Sequence, residues 1–72
     1  MYKVGRSNIK RLLAQKGLTQ SELAERLGMS RQQLNRYVQN QRIPNAEITK
    51  NIAVELDCEM DDLFEWVIGR KE

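Results

Sequence analysis

Arg31, Gln32, Gln33, Asn35 and Arg36 lie within one stretch of six residues, and each can make two hydrogen bonds in one plane. Arginine can donate bidentately to O6 and N7 of guanine, and glutamine or asparagine can pair with N6 and N7 of adenine. From Arg31 to Gln41 there is no acidic residue. A surface pressed against phosphates requires that, whereas a face that only has to be soluble more often mixes Glu with Lys. These residue types therefore suit the reading of base edges in a duplex.

Such a reading needs the side chains on one face. At about 100° per residue, with Leu34 taken as inward, Val38 lies about 40° to one side and Tyr37 about 60° to the other. Gln32 and Arg36 fall at about 160° and 200°, an i, i+4 pair at the outer pole flanked by Gln33 and Asn35. Arg31 sits nearer the core edge, but in the first turn, the part of a docked helix that goes deepest into a major groove. Gln33 has a second use open to it, because Ser30 and Gln33 repeat the capping-box spacing and its amide could close that box instead.

The rest of the chain must hold this helix in place, and its punctuation predicts five short helices. The first runs from about Ser7, a plausible N-cap, to Lys16, with Ile9, Leu12 and Leu13 inward and Gly17 as its stop. Thr19 and Glu22 form a T-x-x-E capping box for the second, which buries Leu23, Ala24 and Leu27 and ends at Gly28. The third spans Ser30 to Val38. Asn45 caps a fourth, along which Ile48, Ile52 and Leu56 recur beside Ala53, and a last short helix begins near Met60 and buries Leu63 and Phe64. Asn40 tolerates a left-handed turn, and Pro44 keeps any helix from crossing the loop between.

Two short helices about a glycine turn, with a small residue in the first and a polar outer face on the second, describe a helix-turn-helix over residues 19–38. Ala24 is the small residue, placed where the two helices cross. Gln20, first in its helix, offers its amide and neighbouring N–H groups to an oxyanion at the positive end of the helix dipole. Ser30, Asn40, Gln41 and Arg42 are further candidates for phosphate, although for the loop residues a solvated polar turn is an equally simple account.

Net charge is only +2 over 72 residues, but it is unevenly distributed. Residues 1–50 hold ten bases against three acids, and residues 51–72 hold seven acids against two bases. One end suits a polyanion and the other should face away from it. The lone Cys58 fits a reducing compartment. With no signal-like stretch at MYKVGRSNIK and no run of roughly 20 apolar residues, a cytoplasmic location is expected. The length fits one domain over residues 1–72, without cofactor, metal or membrane. The absence of histidine, of a metal-ligand cluster and of a glycine-rich phosphate loop argues against an enzyme. Asp61 and Asp62 are better explained as helix-start acids.

The run from Gly17 to Phe64, with G-L-T-Q-x-x-L-A-x-x-L-G-x-S, then R-x-P, then a helix ending in L-x-C and a final D-D-L-F, resembles the Cro/lambda-repressor (Xre) family. The resemblance implies an all-α, five-helix domain that lays its third helix in the major groove and commonly binds palindromic operators as a homodimer. By position it implies Arg31, Gln32 and Arg36 as base readers, with Gln20 and the Asn40–Arg42 loop on phosphate. Many members pair an arginine late in helix one with a glutamate after the reading helix; here Leu13 and Val38 stand in those places. A buried ion pair can be replaced by packed hydrophobes without loss of stability, so an intact core with a different internal clamp is expected.

At the start of the tail, residues 65–72, the stretch Phe64-Glu65-Trp66-Val67-Ile68 has too much apolar surface for a disordered end. Trp66, Val67 and Ile68 could pair as a strand with Tyr2-Lys3-Val4 or form a dimer patch, and Trp66 could instead fold back beside Phe64. The expected function is sequence-specific regulation of transcription, of the repressor type found in phages, mobile elements and bacteria. The alternative is an antitoxin-like or anti-repressor-like module that uses the same fold to capture a regulatory protein partner.

Overall fold

The computed structural model describes residues 1–69, and the last three positions of the tail, 70–72, lie outside the described residues. Strand β1 (Tyr2–Ser7) is followed by helices α1 (Ile9–Lys16), α2 (Gln20–Leu27), α3 (Arg31–Val38) and α4 (Ala46–Glu55). A single 3₁₀ turn (Met60–Leu63) then leads into strand β2 (Phe64–Ile68), which pairs antiparallel with β1. The architecture is therefore four α-helices and a two-stranded sheet, not five helices.

The expected fifth helix fails for a local reason. The Asp62 carboxylate accepts from the Glu59 N–H and the Asp62 N–H donates to the Glu59 carbonyl, which closes a tight turn. After it Phe64-Glu65-Trp66-Val67-Ile68 brings aromatic and β-branched residues that favour a pleated strand. The register pairs Tyr2 with Ile68, Lys3 with Val67 and Val4 with Trp66, so the tail takes the strand arrangement. Trp66 remains 44% exposed; its ring stands edge-on to Phe64 at 6.5 Å and its indole N–H donates to the Asp61 carbonyl. Between Val4 and Ser7, Gly5 and Arg6 face the single Glu65, which is a bulge. A Cβ at position 5 would come within 2.7 Å of the Glu65 carbonyl oxygen, so the close approach requires glycine.

Ser7 is not the N-cap of α1. It ends β1, and Asn8 takes the cap position without a side-chain cap bond. Asn8 is committed elsewhere: its N–H donates to the Leu63 carbonyl and its amide to the Asp62 carbonyl. Ser7 Oγ still accepts from the Ile9 N–H at 3.2 Å, so it satisfies one free donor of the helix from outside. The other starts follow the sequence. Thr19 and Glu22 close their capping box in both directions, Ser30 Oγ accepts from the Gln33 N–H, and Asn45 Oδ1 accepts from the Ile48 N–H.

All four helices end alike. Gly17, Gly28, Asn40 and Asp57 have φ of 69°, 69°, 59° and 54°, and in each case the next N–H reaches back five residues: Leu18 to Leu13, Met29 to Ala24, Gln41 to Arg36 and Cys58 to Ala53. These are Schellman closures, which satisfy the last carbonyls within two residues and turn the chain sharply. Each helix then lays its apolar stripe inward. Ile9, Leu23, Leu34, Ile52, Leu56 and Leu63 are fully buried at the centre, with Leu13 and Val38 also buried.

Asn40 does more than close α3. Its Oδ1 accepts from the Ser7 N–H and its Nδ2 donates to the Gly5 carbonyl, both at 2.8 Å. The Asn40 side chain, expected on phosphate, thus holds β1 with both ends of its amide and keeps one Nδ2 N–H. Two outcomes follow. Gly5→Ala should lower the stability measured by urea unfolding by about 1–3 kcal/mol through the clash with β2, and an unchanged midpoint would show that the bulge relaxes freely. Asn40→Ala should cost about 2–3 kcal/mol, and Asn40→Gly about 1 kcal/mol less than that, because glycine restores the left-handed turn but not the two bonds. Equal losses for the two variants would refute the backbone part of this account.

Candidate nucleic-acid interface

The interface begins at the α2–α3 turn. Gly28 takes its left-handed φ with open space around its missing side chain, so the conformation and not crowding calls for glycine. Ala24, 3% exposed, lies on the buried side of α2 facing the core that α3 completes. The Gln20 amide N–H donates to Asn35 Oδ1 at 3.2 Å, which ties the start of α2 to the middle of α3. At that start the backbone N–H of Thr19, its hydroxyl and the more distant Arg26 hold the Glu22 carboxyl below the usual carboxylate value. The box therefore stays closed at neutral pH.

The face of α3 falls as the helical wheel predicts. Leu34, Tyr37 and Val38 are buried, Arg31, Gln32, Gln33 and Arg36 are exposed, and Asn35 is half-buried against Gln20. The Gln33 backbone caps onto Ser30, but α3 shows no reciprocal bond from the Gln33 side chain, which leaves that amide on the surface. After α3 the N–H groups of Gln41 and Arg42 both donate to the Arg36 carbonyl, at 2.8 and 3.3 Å. This fold-back carries Arg42 over the last turn of the helix. Ser30, Gln32, Gln33, Arg36, Tyr37 and Arg42 together line a shallow groove of about 210 Å³.

Of the expected base readers, Gln32, Gln33 and Arg36 share this groove with Arg42, whereas Arg31 and Asn35 do not line it; Gln41 is exposed in the same turn as Arg42. Ser30 Oγ is engaged as a cap acceptor, which leaves its O–H directed by whatever lies outside. Gln20 spends one amide N–H on Asn35 and keeps the other. The clamp role of Asn40 was not legible, because its partners stand 33 and 35 residues away and no local spacing announces them.

Electrostatics separates this surface from the opposite end. Among the described residues the ion pairs are Lys16 with Asp57 at 3.3 Å and Arg26 with Glu55 at 3.5 Å. Both join a base to the acidic C-terminal half. Arg31, Arg36 and Arg42 have no carboxylate within ion-pairing distance among those residues. Cys58 is half-buried; burial first, then Asp62, Asp57 and Glu59, push its thiol above the ordinary value. It is therefore held as a thiol, a poor nucleophile. No group of three or more His, Cys, Asp or Glu among the described residues could hold a metal ion, and no helix among them is long and apolar enough to cross a membrane.

Comparison with known proteins agrees with this geometry. A helix-turn-helix family model matches residues 9–63, which spans all four helices and the 3₁₀ turn. The chain is 34% identical over 68 residues to YopS of Bacillus subtilis strain 168, an uncharacterized SPbeta prophage-derived HTH-type transcriptional regulator, covering 93% of this chain and 92% of that protein. The crystal structure of a protein from Bacteroides fragilis described as DNA-binding superposes with a TM-score of 0.77 at 28% identity, over 90% of this chain and 100% of that one. With the capped α2, the left-handed Gly28 and the buried anchor of α3, these likenesses place the chain in the helix-turn-helix family of the Cro/lambda-repressor (Xre) type.

Proposed function

We propose that this protein is a sequence-specific, double-stranded-DNA-binding regulator of transcription, of repressor type, that lays α3 in the major groove. The observation that carries this is the face of α3: Arg31, Gln32, Gln33 and Arg36 all exposed, Arg42 folded onto the same side, and no carboxylate paired with those arginines. The relative that is an HTH-type transcriptional regulator supports the same class of function. Arg31, Gln32 and Arg36 read bases, with Gln33 beside them. Asn35 contributes from a fixed position, since its oxygen is bonded to Gln20. Backbone N–H groups at the start of α2, the second Gln20 amide N–H, the Ser30 hydroxyl, Gln41 and Arg42 line the phosphate path on either side of the groove. Asn40 holds the loop in place for them.

The protein acts in the cytoplasm as one domain, binds without cofactor or metal, and carries out no catalysis. It binds as a homodimer through the tail, where Trp66, Val67 and Ile68 are exposed beside Tyr2. A two-fold dimer reads a palindrome with half-sites about 34 Å apart. The same exposed tail gives the protein-capture alternative its support, and Arg36 separates the two. Capture of a regulatory protein on the tail would survive its loss, and operator binding would not.

Arg36→Ala or Arg31→Ala should cost about 1–3 kcal/mol at a duplex selected in vitro from random sequence, and relax discrimination at one base position. If both variants bound the selected duplex like wild type, the groove assignment would be wrong. The selected sequences should contain an inverted repeat, and Trp66→Glu should convert binding to single half-sites in gel-shift titrations. Winners without dyad symmetry would rule out the dimer.

A further inference from the structure

We propose that Arg6, on strand β1, is an additional contact to the DNA backbone, so that the phosphate-binding edge continues from the loop after α3 onto the N-terminal strand. This rests on the assignment of Gln41 and Arg42 to phosphate. The geometry is set by Asn40. Its side chain bonds the Gly5 carbonyl and the Ser7 N–H, each at 2.8 Å, and these groups flank Arg6 on both sides. The backbone at Arg6 is therefore fixed one hydrogen-bonded side chain away from residue 40. Gln41 and Arg42 follow at about 3.8 Å per Cα step. An arginine side chain is long enough to span that separation, and Arg42 shares its groove with Arg36, so Arg6 extends the same basic edge in the proposed arrangement.

Three further features point the same way. Arg6 is exposed, and it sits in the bulge, a distortion that re-aims a side chain out of the strand's alternation. Glu65 stands across the bulge by register, yet it closes no ion pair with Arg6 among the described residues. Finally, the first acid in the chain is Glu22, so β1 and α1 carry Lys3, Arg6, Lys10, Arg11 and Lys16 without a carboxylate. Of these, Lys16 is turned to Asp57 at the acidic end, whereas Arg6 is held at the end of α3. The clamp thus gives Asn40 a positioning role that a glycine closing α3 would not have.

The test uses the full chain and a random-sequence duplex of about 20 base pairs, with affinity followed against salt concentration. Arg6→Ala and Arg42→Ala should each weaken binding severalfold and flatten the slope of log K against log salt by about one, while Lys16→Ala leaves it unchanged. Thermal unfolding of Arg6→Ala should match wild type, since its side chain is on the surface. If Arg42→Ala flattens the slope and Arg6→Ala does not, Arg6 makes no contact and the proposal fails while the groove assignment stands. If neither flattens it, the phosphate assignment of the loop fails and takes this proposal with it. If Lys16→Ala flattens it equally, the effect is one of net charge, and the local contact is again overturned.

Discussion

Three of the four helices are eight residues long and the fourth is ten, and a helix below about 12–15 residues is marginal in water even with good helix formers. None of them persists alone. Each must be started, stopped and buried within two turns, which leaves little room for error at the ends. The four left-handed residues at 17, 28, 40 and 57 answer that constraint. They satisfy the terminal carbonyls and reverse the chain so that the next stripe meets the same core. The six fully buried aliphatic side chains come from all four helices and the 3₁₀ turn, so removing any one helix opens the whole centre. The placement of α3 is thus a property of the entire described fold.

What could be read from the sequence follows from this division between local and distant partners. Thr19 with Glu22, Asn45 with Ile48, and the two glycines act on neighbours three to five residues away, and their spacing states the outcome. The face of α3 was legible for the same reason, since a period of about 3.6 residues separates Leu34, Tyr37 and Val38 from Gln32 and Arg36 without outside information. The errors lie where the partner is remote. Ser7 reads from the sequence as the cap of α1, and contact with Asp62 and Leu63, far along the chain, is what fixes Asn8 in that position instead. The Glu59–Asp62 turn stops the fifth helix locally, but the strand that follows it is fixed by Tyr2, Lys3, Val4 and Ser7 at the other end of the sequence. Asp57 in a left-handed turn carried no glycine to announce it; its carboxylate meets Lys16 from the other end of the helical body.

The two family positions that departed from expectation are explained together with the clamp. Leu13 and Val38 are both buried in the core, where an arginine and a glutamate would need each other's charge to be tolerated. Apolar side chains remove that dependence but also remove a polar link between α1 and the end of α3. The link is present in another form. Two neutral hydrogen bonds from Asn40 to β1 join the end of α3 to the residues just before α1. Being neutral, they are screened by salt far less than an exposed ion pair. The loop that follows α3 is then held by bonds that do not weaken under the conditions in which phosphate contacts weaken most.

The same helix therefore serves stability and recognition through different residues. Leu34, Tyr37 and Val38 anchor α3, Ser30 and Asn40 close its two ends, and the exposed side chains between them bear almost none of the folding energy. Substitutions at Arg31, Gln32 or Arg36 change what the surface can bind while leaving the capped, buried frame intact, because surface changes away from caps and core stay within about 0.5 kcal/mol. Asn35 is the exception on that face. Its bond to Gln20 couples it to the start of α2, so a change there also removes a side-chain link between the two helices. The surface is freest to vary at the outer pole, the side of α3 farthest from the core that Leu34 enters.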